Sequence, residues 1–430
     1  MDYLRALLGI LIILFIAFLF SEKKKAINWR LVAGGMCLQI IIALLLLKIT
    51  FFENVFKVIS RVFVIFLSFA IDGSEFLFDK LATDNFGFIF AFQVLPVIIF
   101  FSAVTAGLYY LGILQKIVFA MAKVMTKAMK LSGAESLSAA GNVFLGQTEA
   151  PLLVRPFIPS MTRSEVMCLM TGGMATIAGS VLGAYVSYLG GSDVEEQSKF
   201  AAFLLTASLM NAPAAIVAAK ILVPEQNVDK LDTRLKITRG DYGVNLIDAI
   251  TRGAGDGLKL ALNVAAMLLV FVAIIAALNF VLAEGIGSWT GLNEIIAINT
   301  NGLFDKLSLE YLLGQVFRVF AFIMGVDWQD TLAVGSLLGQ KTVINEFIAY
   351  TSLAEMKETG LLLPKSIVIS TFVLCGFSNF SSIAIQIGGI GGMAPNQQGL
   401  LSKLGLKALI AATIACMLTA TIAGALVNQN

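Results

Sequence analysis

The chain of 430 residues contains no histidine, and Asp, Glu, Lys and Arg together make up only 13% of it. Without histidine there is no Ser-His-Asp triad, no histidine metal site and no histidine proton relay. The four cysteines, Cys37, Cys168, Cys375 and Cys416, form no C-x-x-C pair and lie in apolar runs. They read as small buried hydrophobes, and neither a disulfide framework nor a metal cluster is expected. No G-x-x-x-x-G-K-[ST] stretch occurs, so a nucleotide-hydrolysing P-loop is excluded. The formal charge of +2 gives no bias toward nucleic acid. A soluble domain carries about 25% charged residues, roughly twice the fraction found here.

What the chain does have is hydrophobicity, at 58% of residues. Runs that reach the ~20 residues needed to cross a bilayer place membrane helices near 3–20, 30–50, 90–115, 164–190, 199–222, 259–283, 365–390 and 404–426. The expected fold class is an all-α polytopic membrane protein with about eight transmembrane helices. The opening run "MDYLRALLGILIILFIAFLF" has one early basic residue, Arg5, offset by Asp2, and no small-residue cleavage site follows. It reads as a retained first helix rather than a signal peptide. Residues 52–82 mix charges at helical spacing into apolar sequence and are expected to lie at the interface.

Two further stretches, 135–160 and 310–350, are interrupted by glycine and polar residues. Lysine and arginine bias sets their orientation. Lys23, Lys24, Lys25 and Arg30 mark one cytoplasmic loop, and Lys116, Lys123, Lys127 and Lys130 mark another. Lys230, Arg234, Lys236, Arg239, Arg252 and Lys259 mark a third, and Lys403 and Lys407 precede the last helix. Both termini are then expected outside. The stretch at 135–160 must begin and end on the cytoplasmic side, and the one at 310–350 must enter from the other. Both are expected to be re-entrant hairpins.

Each hairpin is followed by a broken helix and then an intact one. The broken helices read "GGMATIAGSVLGAYVSYLGG" and "STFVLCGFSNFSSIAIQIGGIGG". Glu149 and Glu346 lie about 200 residues apart, as do the breaks near Ser180 and Asn379. The pattern is an inverted repeat of hairpin, broken helix and helix, an arrangement found in secondary transporters. The expected organisation is 1–134 for N-terminal and scaffold helices, 135–222 for the first repeat, 223–309 for a cytoplasmic linker and scaffold helix, and 310–430 for the second repeat.

Non-helical backbone at membrane depth must face protein or water, so polar groups at these interruptions are the site candidates. The first hairpin offers Asn142, Gln147, Thr148 and Glu149, and the first break offers Thr176 and Ser180. The second hairpin offers Asn345 and Glu346, and the second break offers Ser378, Asn379, Ser381 and Ser382 beside Phe377 and Phe380. A charge at the bilayer centre costs several kcal/mol, so the two acids need compensation. Purely structural compensation would be ion pairs of Glu149 with Arg155 and of Glu346 with Lys341, with the Ser/Asn cluster joining helices. A binding role instead fits a neutral ligand, because the tips carry no base. Glutamate can accept two hydrogen bonds from a vicinal diol, and glutamine can pair with an amide-like edge. A ribose joined to a base needs both.

"GNVFLGQTEAPLLVRP", "ATIAGSVLGAYV", "NEFIAY" and "GFSNFSSIAIQIGG" closely resemble, in order, the signature stretches of the concentrative nucleoside transporter family. The likeness spans roughly 90 to 426 and is to the shorter bacterial form, without extra N-terminal helices. It implies sodium-coupled symport of nucleosides into the cell by a homotrimer in the inner membrane. It also implies that Gln147, Thr148 and Glu149 face the base with Val181 packed beside it. Glu346, Asn379 and Ser382 would hold the ribose, with Phe377 lining the same pocket. A Na+ site would use the Asn142 and Thr176 side chains and the Leu145 and Ile177 carbonyls, all oxygen ligands suited to a hard cation. The alternatives are proton coupling on the same fold, an intramembrane enzyme using the paired acids, and a channel with glutamate rings.

Overall fold

The computed structural model describes residues 2–82, 89–191, 193–227, 231–232, 243–300 and 302–427. Among these residues all regular structure is helical. The longer helices begin with α1 (Asp2–Leu19), α2 (Trp29–Lys48), α3 (Thr50–Phe78), α4 (Leu95–Tyr110), α5 (Ile113–Met129) and α6 (Gly133–Gly141). Next come α7 (Arg163–Ala175), α8 (Gly179–Gly190), α9 (Val194–Leu222), α10 (Leu246–Phe280), α11 (Leu292–Asn299) and α12 (Leu309–Met324). The last are α13 (Thr331–Val343), α14 (Glu346–Glu358), α15 (Pro364–Leu374), α16 (Phe380–Met393) and α17 (Gln398–Leu426).

Eight stretches are long and apolar enough to cross a bilayer by length and composition. Seven match the expected spans. The eighth is Thr50–Ala82, expected at the interface, which consists of α3 and a single 3-10 turn entered through Asp79 at φ +51°. The stretch at 365–390 is instead two short pieces, α15 and α16, parted by a break at 375–379. Cys37 is exposed, unlike the other three cysteines, because it lies on the outward side of α2. Of the expected cytoplasmic bases, Lys230, Arg234, Lys236 and Arg239 lie outside the described residues.

Polar contacts mark two opposite faces of the bundle. At one face Arg5, early in α1, donates to the Phe322 and Val326 carbonyls (3.3 and 2.6 Å), and Lys365 meets Asp2 (2.7 Å). At the other face Glu22, in the loop after α1, meets Arg163 (2.7 Å) and Lys407. These two cations hold the Glu22 carboxyl down at about 2, with the Arg163 hydrogen bond the largest cause.

Each hairpin begins and ends at one face. The first runs through α6, an irregular tip and the short turns Ala150–Val154 and Ile158–Ser160. Its root is at the Glu22 face, where buried Lys220 pairs with Glu135 of α6 and donates to Ser164 of α7 (3.0 Å). Glu135 and Glu165 each close a capping box, with Ser132 and Thr162, so both helices start at defined residues. The second hairpin is α13 plus α14, rooted at the Arg5 face. There Asp330 accepts from the Leu363 amide (2.9 Å), and Lys357 pairs with Glu196 at the start of α9 (2.9 Å).

The second hairpin therefore covers 331–358. The rest of the expected 310–350 stretch is α12, which runs antiparallel beside α13. A Cβ on Gly335 would lie 2.7 Å from the Arg318 backbone, so glycine sets the distance between these two helices. The α7–α8 run is 94% buried across its apolar window, against 11% for the run containing α10. The first broken helix lies at the centre of the molecule.

Candidate functional site

The two helix breaks touch. Thr176 leaves the helical region (φ −114°, ψ 169°), and its hydroxyl turns back to the Gly172 carbonyl (2.9 Å), which ends α7. The second break contains Gly376 at φ +143°, a conformation that favours glycine. A Cβ on Gly376 would lie 2.5 Å from the Ala175 carbonyl oxygen, so the chains cross in backbone contact. Breaking a helix frees carbonyls that must find donors inside the protein. One side chain serves both: Asn211 Nδ2 on α9 donates to Ala175 O (2.7 Å) and to Cys375 O (2.8 Å). Cys416 Sγ on α17 lies near the same two carbonyls, at 3.6 and 3.3 Å.

The hairpin tips meet this crossing. Asn345 caps α14 by accepting from the Ile348 amide (3.0 Å), which makes Glu346 the first helical residue. The unpaired amides there favour a carboxylate. Asn379 caps α16 by accepting from the Ser382 amide (2.9 Å), and its Nδ2 donates to Glu346 Oε2 (2.8 Å). Tyr185 Oη of α8 donates to Glu346 Oε1 (2.9 Å). That ring is buried, stacked on Tyr350 with centroids 4.5 Å apart.

At the first tip, Glu149 Oε2 accepts from the Gly146 amide (3.2 Å) and so closes the turn. Gln147 reaches into the second repeat, where its Nε2 donates to Ser382 Oγ (3.0 Å), while its buried Oε1 has no partner. Thr148 packs near Gly389, where a Cβ would lie 3.0 Å from Thr148 Cγ2. Val181 is buried on α8, Phe377 is half-buried, and Phe380 points outward at 50% exposure. The Phe377 amide bonds to Thr176 O (3.4 Å) and so ties one break to the other.

Neither expected ion pair forms among the described residues. Arg155 is exposed, and the Lys341 ammonium donates to Val373 O (2.7 Å) instead of meeting Glu346. The four groups expected around a cation lie where the first tip meets the first break. The Gly179 amide bonds to Phe144 O (3.0 Å), which pins the two segments together. Asn142 is fully buried against Gly172, and both of its amide atoms lack partners. The Leu145 and Ile177 carbonyls accept no hydrogen bond from the described residues. A buried, unsatisfied amide beside free carbonyls fits a hard cation and is otherwise costly.

Sequence reasoning missed Tyr185 and Asn211 as parts of this centre, and it paired Lys341 with Glu346 where the ammonium instead meets the Val373 carbonyl. Asn211 carried a usable signal, a lone amide within an apolar run, but its two acceptors depend on the crossing of distant segments. Among the described residues no group of three or more His, Cys, Asp or Glu side chains could hold a metal ion. Two hairpin and broken-helix units that meet at their interruptions define a secondary transporter.

Known proteins agree. Residues 203–424 match the family described as "Na+ dependent nucleoside transporter C-terminus", and residues 8–81 match its N-terminal counterpart. Residues 91–192 match a gate region described as "Nucleoside recognition". An uncharacterized transporter of Bacillus subtilis is 41% identical over 99% of both chains. Sodium/nucleoside cotransporter 1 of Rattus norvegicus is 38% identical over 97% of this chain and 63% of its own length. The solved structure of CNTnw in an inward-facing substrate-bound state superposes with a TM-score of 0.88 at 37% identity, covering 99% of this chain and 98% of that one. A doubly substituted variant of that protein, also at a TM-score of 0.88, has been solved in an outward-facing state. The chain belongs to the concentrative nucleoside transporter family, whose members are transporters and not enzymes.

Proposed function

We propose that this protein carries nucleosides into the cell together with Na+, by alternating access. The observation that carries this reading is the bond from Gln147 to Ser382 (3.0 Å) beside the Asn379–Glu346–Tyr185 chain, which joins both hairpins and both breaks in one polar centre. In this reading Glu346, Asn379 and Ser382 hold the ribose hydroxyls. Gln147, Thr148 and Glu149 address the base edge, and Val181 and Phe377 supply apolar walls. Sodium is the co-substrate, held by Asn142, Thr176 and the Leu145 and Ile177 carbonyls. The unsatisfied Asn142 amide favours it over a proton, which would need no such oxygen set.

The repeats, 135–222 and 310–430, would move against helices drawn from 1–134 and 223–309. The protein would sit in the inner membrane with both termini outside and the Glu22 face inward, where Lys23, Lys24 and Lys25 also lie. A homotrimer is the assembly implied by the family resemblance. One Na+ moving inward gains about 2.3 kcal/mol per 100 mV, enough for roughly 50-fold accumulation of a neutral solute.

Uridine uptake into proteoliposomes, with Na+ replaced by choline at fixed pH, tests this directly. Uptake should collapse in choline, and undiminished uptake would assign the coupling to protons. Gln147→Ala should change the ratio of uridine to adenosine binding more than it changes binding of free ribose.

A further inference from the structure

The first and second repeats place one feature at the same point and fill it differently. In the first, Asn142 ends the inbound helix of the hairpin, seven residues before Glu149, and lies against Gly172 in the last turn of α7. In the second, Lys341 lies in the last turn of the inbound helix α13, five residues before Glu346. Its ammonium donates to Val373 O (2.7 Å) in the last turn of α15. Both positions therefore lie between a hairpin and the carbonyl end of the first half of a broken helix. Such ends carry partial negative charge and attract cations. Lys341 is only 2% exposed and forms no ion pair among the described residues.

We propose that the Lys341 ammonium is a built-in cation, occupying in the second repeat the place that Na+ takes in the first. This rests on the sodium reading above. Counting formal charges, Glu149 and Glu346 contribute two negatives and Lys341 one positive. One bound Na+ then makes the loaded centre neutral around an uncharged nucleoside. A centre without Lys341 needs a second cation from solution to reach the same balance. Carrying net charge through a low-dielectric passage is costly, so the fixed ammonium sets how many free cations accompany each nucleoside.

Three variants separate charge from hydrogen bonding. Lys341→Gln keeps a donor for Val373 without the charge, Lys341→Met removes both, and Lys341→Arg keeps both. The readout is charge moved per uridine in proteoliposomes, from electrogenic current and labelled uptake measured together. The wild-type protein and Lys341→Arg should move about one charge per uridine. Lys341→Gln and Lys341→Met should move about two, whether the added cation is Na+ or a proton. A ratio of one in an active Lys341→Gln variant would overturn the proposal.

If Lys341→Gln does not transport, uridine-induced thermal stabilisation at graded Na+ and pH replaces the current measurement. A steeper Na+ or pH dependence than wild type, or loss of the response restored by Lys341→Arg, supports the fixed cation. A wild-type dependence on both Na+ and pH in Lys341→Gln overturns it. If the wild-type protein itself shows no Na+ dependence, the sodium reading fails, and the variants are then not needed to show it.

Discussion

The two hairpins are built on one plan but made of different material. The second has two regular helices joined by the two residues Ile344 and Asn345, and its acid stands at a helix start with two side-chain donors. The first has one short helix, an irregular tip and a return made of single turns, and among the described residues its acid accepts only from the Gly146 amide. Buried groups without partners gather in the first: both amide atoms of Asn142 and the Gln147 oxygen. Among the described residues the second hairpin leaves no buried side-chain polar atom without a partner, while the first leaves polar capacity for something bound. An irregular backbone exposes carbonyls that a regular helix would consume, and this makes the first hairpin suitable for a diffusible cation.

The largest break in this comparison comes from the satisfied side. Glu346→Gln should abolish uridine uptake while leaving the thermal melt near wild type, because the acid loses its diol contact but keeps its shape. Unchanged uridine binding in calorimetry would remove Glu346 from the site. Next is the shared clamp. Asn211→Ala leaves the Ala175 and Cys375 carbonyls without their amide donor, at about 1–3 kcal/mol for each buried unsatisfied group. The detergent-solubilised variant should melt several degrees lower, and an unchanged Tm would show that Cys416 or water satisfies both.

A smaller effect is expected at Tyr185, which adjusts Glu346 without being its only partner. Tyr185→Phe removes one hydrogen bond worth about 0.5–1.5 kcal/mol, or roughly twofold to twelvefold in the KM for uridine. An equal change in Gln147→Ala and Tyr185→Phe for free ribose would argue that the two tips are not specialised. The smallest lies at the bundle face. The Glu22 carboxyl sits at about 2 against an ordinary 4.5. Its ion pairs therefore add stability above pH 4.5, and this is lost as pH falls through 2. The partly exposed site limits the contribution to about 1 kcal/mol or less. Glu22→Gln should flatten the melt between these pH values, and an unaltered acid profile would place the loss elsewhere.

Much of this arrangement was legible in the residues. The paired acids, the polar tips and the two broken apolar runs stand out because each violates a strong rule about polar groups in lipid. Their order along the chain exposed the inverted repeat. What periodicity could not settle was where regular helix resumes. The stretch from 310 to 350 divides into α12 and part of a hairpin, because the close backbone contact near Gly335 is made with a neighbouring helix. Lys341 read as the natural partner of Glu346 five residues away, yet its ammonium turns to a carbonyl of α15.

The sequence by itself determined that this is a polytopic helical protein, and it singled out the polar residues at the interruptions of its apolar runs. Burial cost is a local property, so unusual residues in apolar runs are visible one at a time. Only the tertiary structure decided which of those groups are already satisfied. Asn211 serves two breaks about 200 residues apart, Tyr185 reaches Glu346, and among the described residues Asn142 alone is left with both amide atoms free. Hydrogen-bond satisfaction depends on partners brought together by packing, and no reading along the chain supplies them.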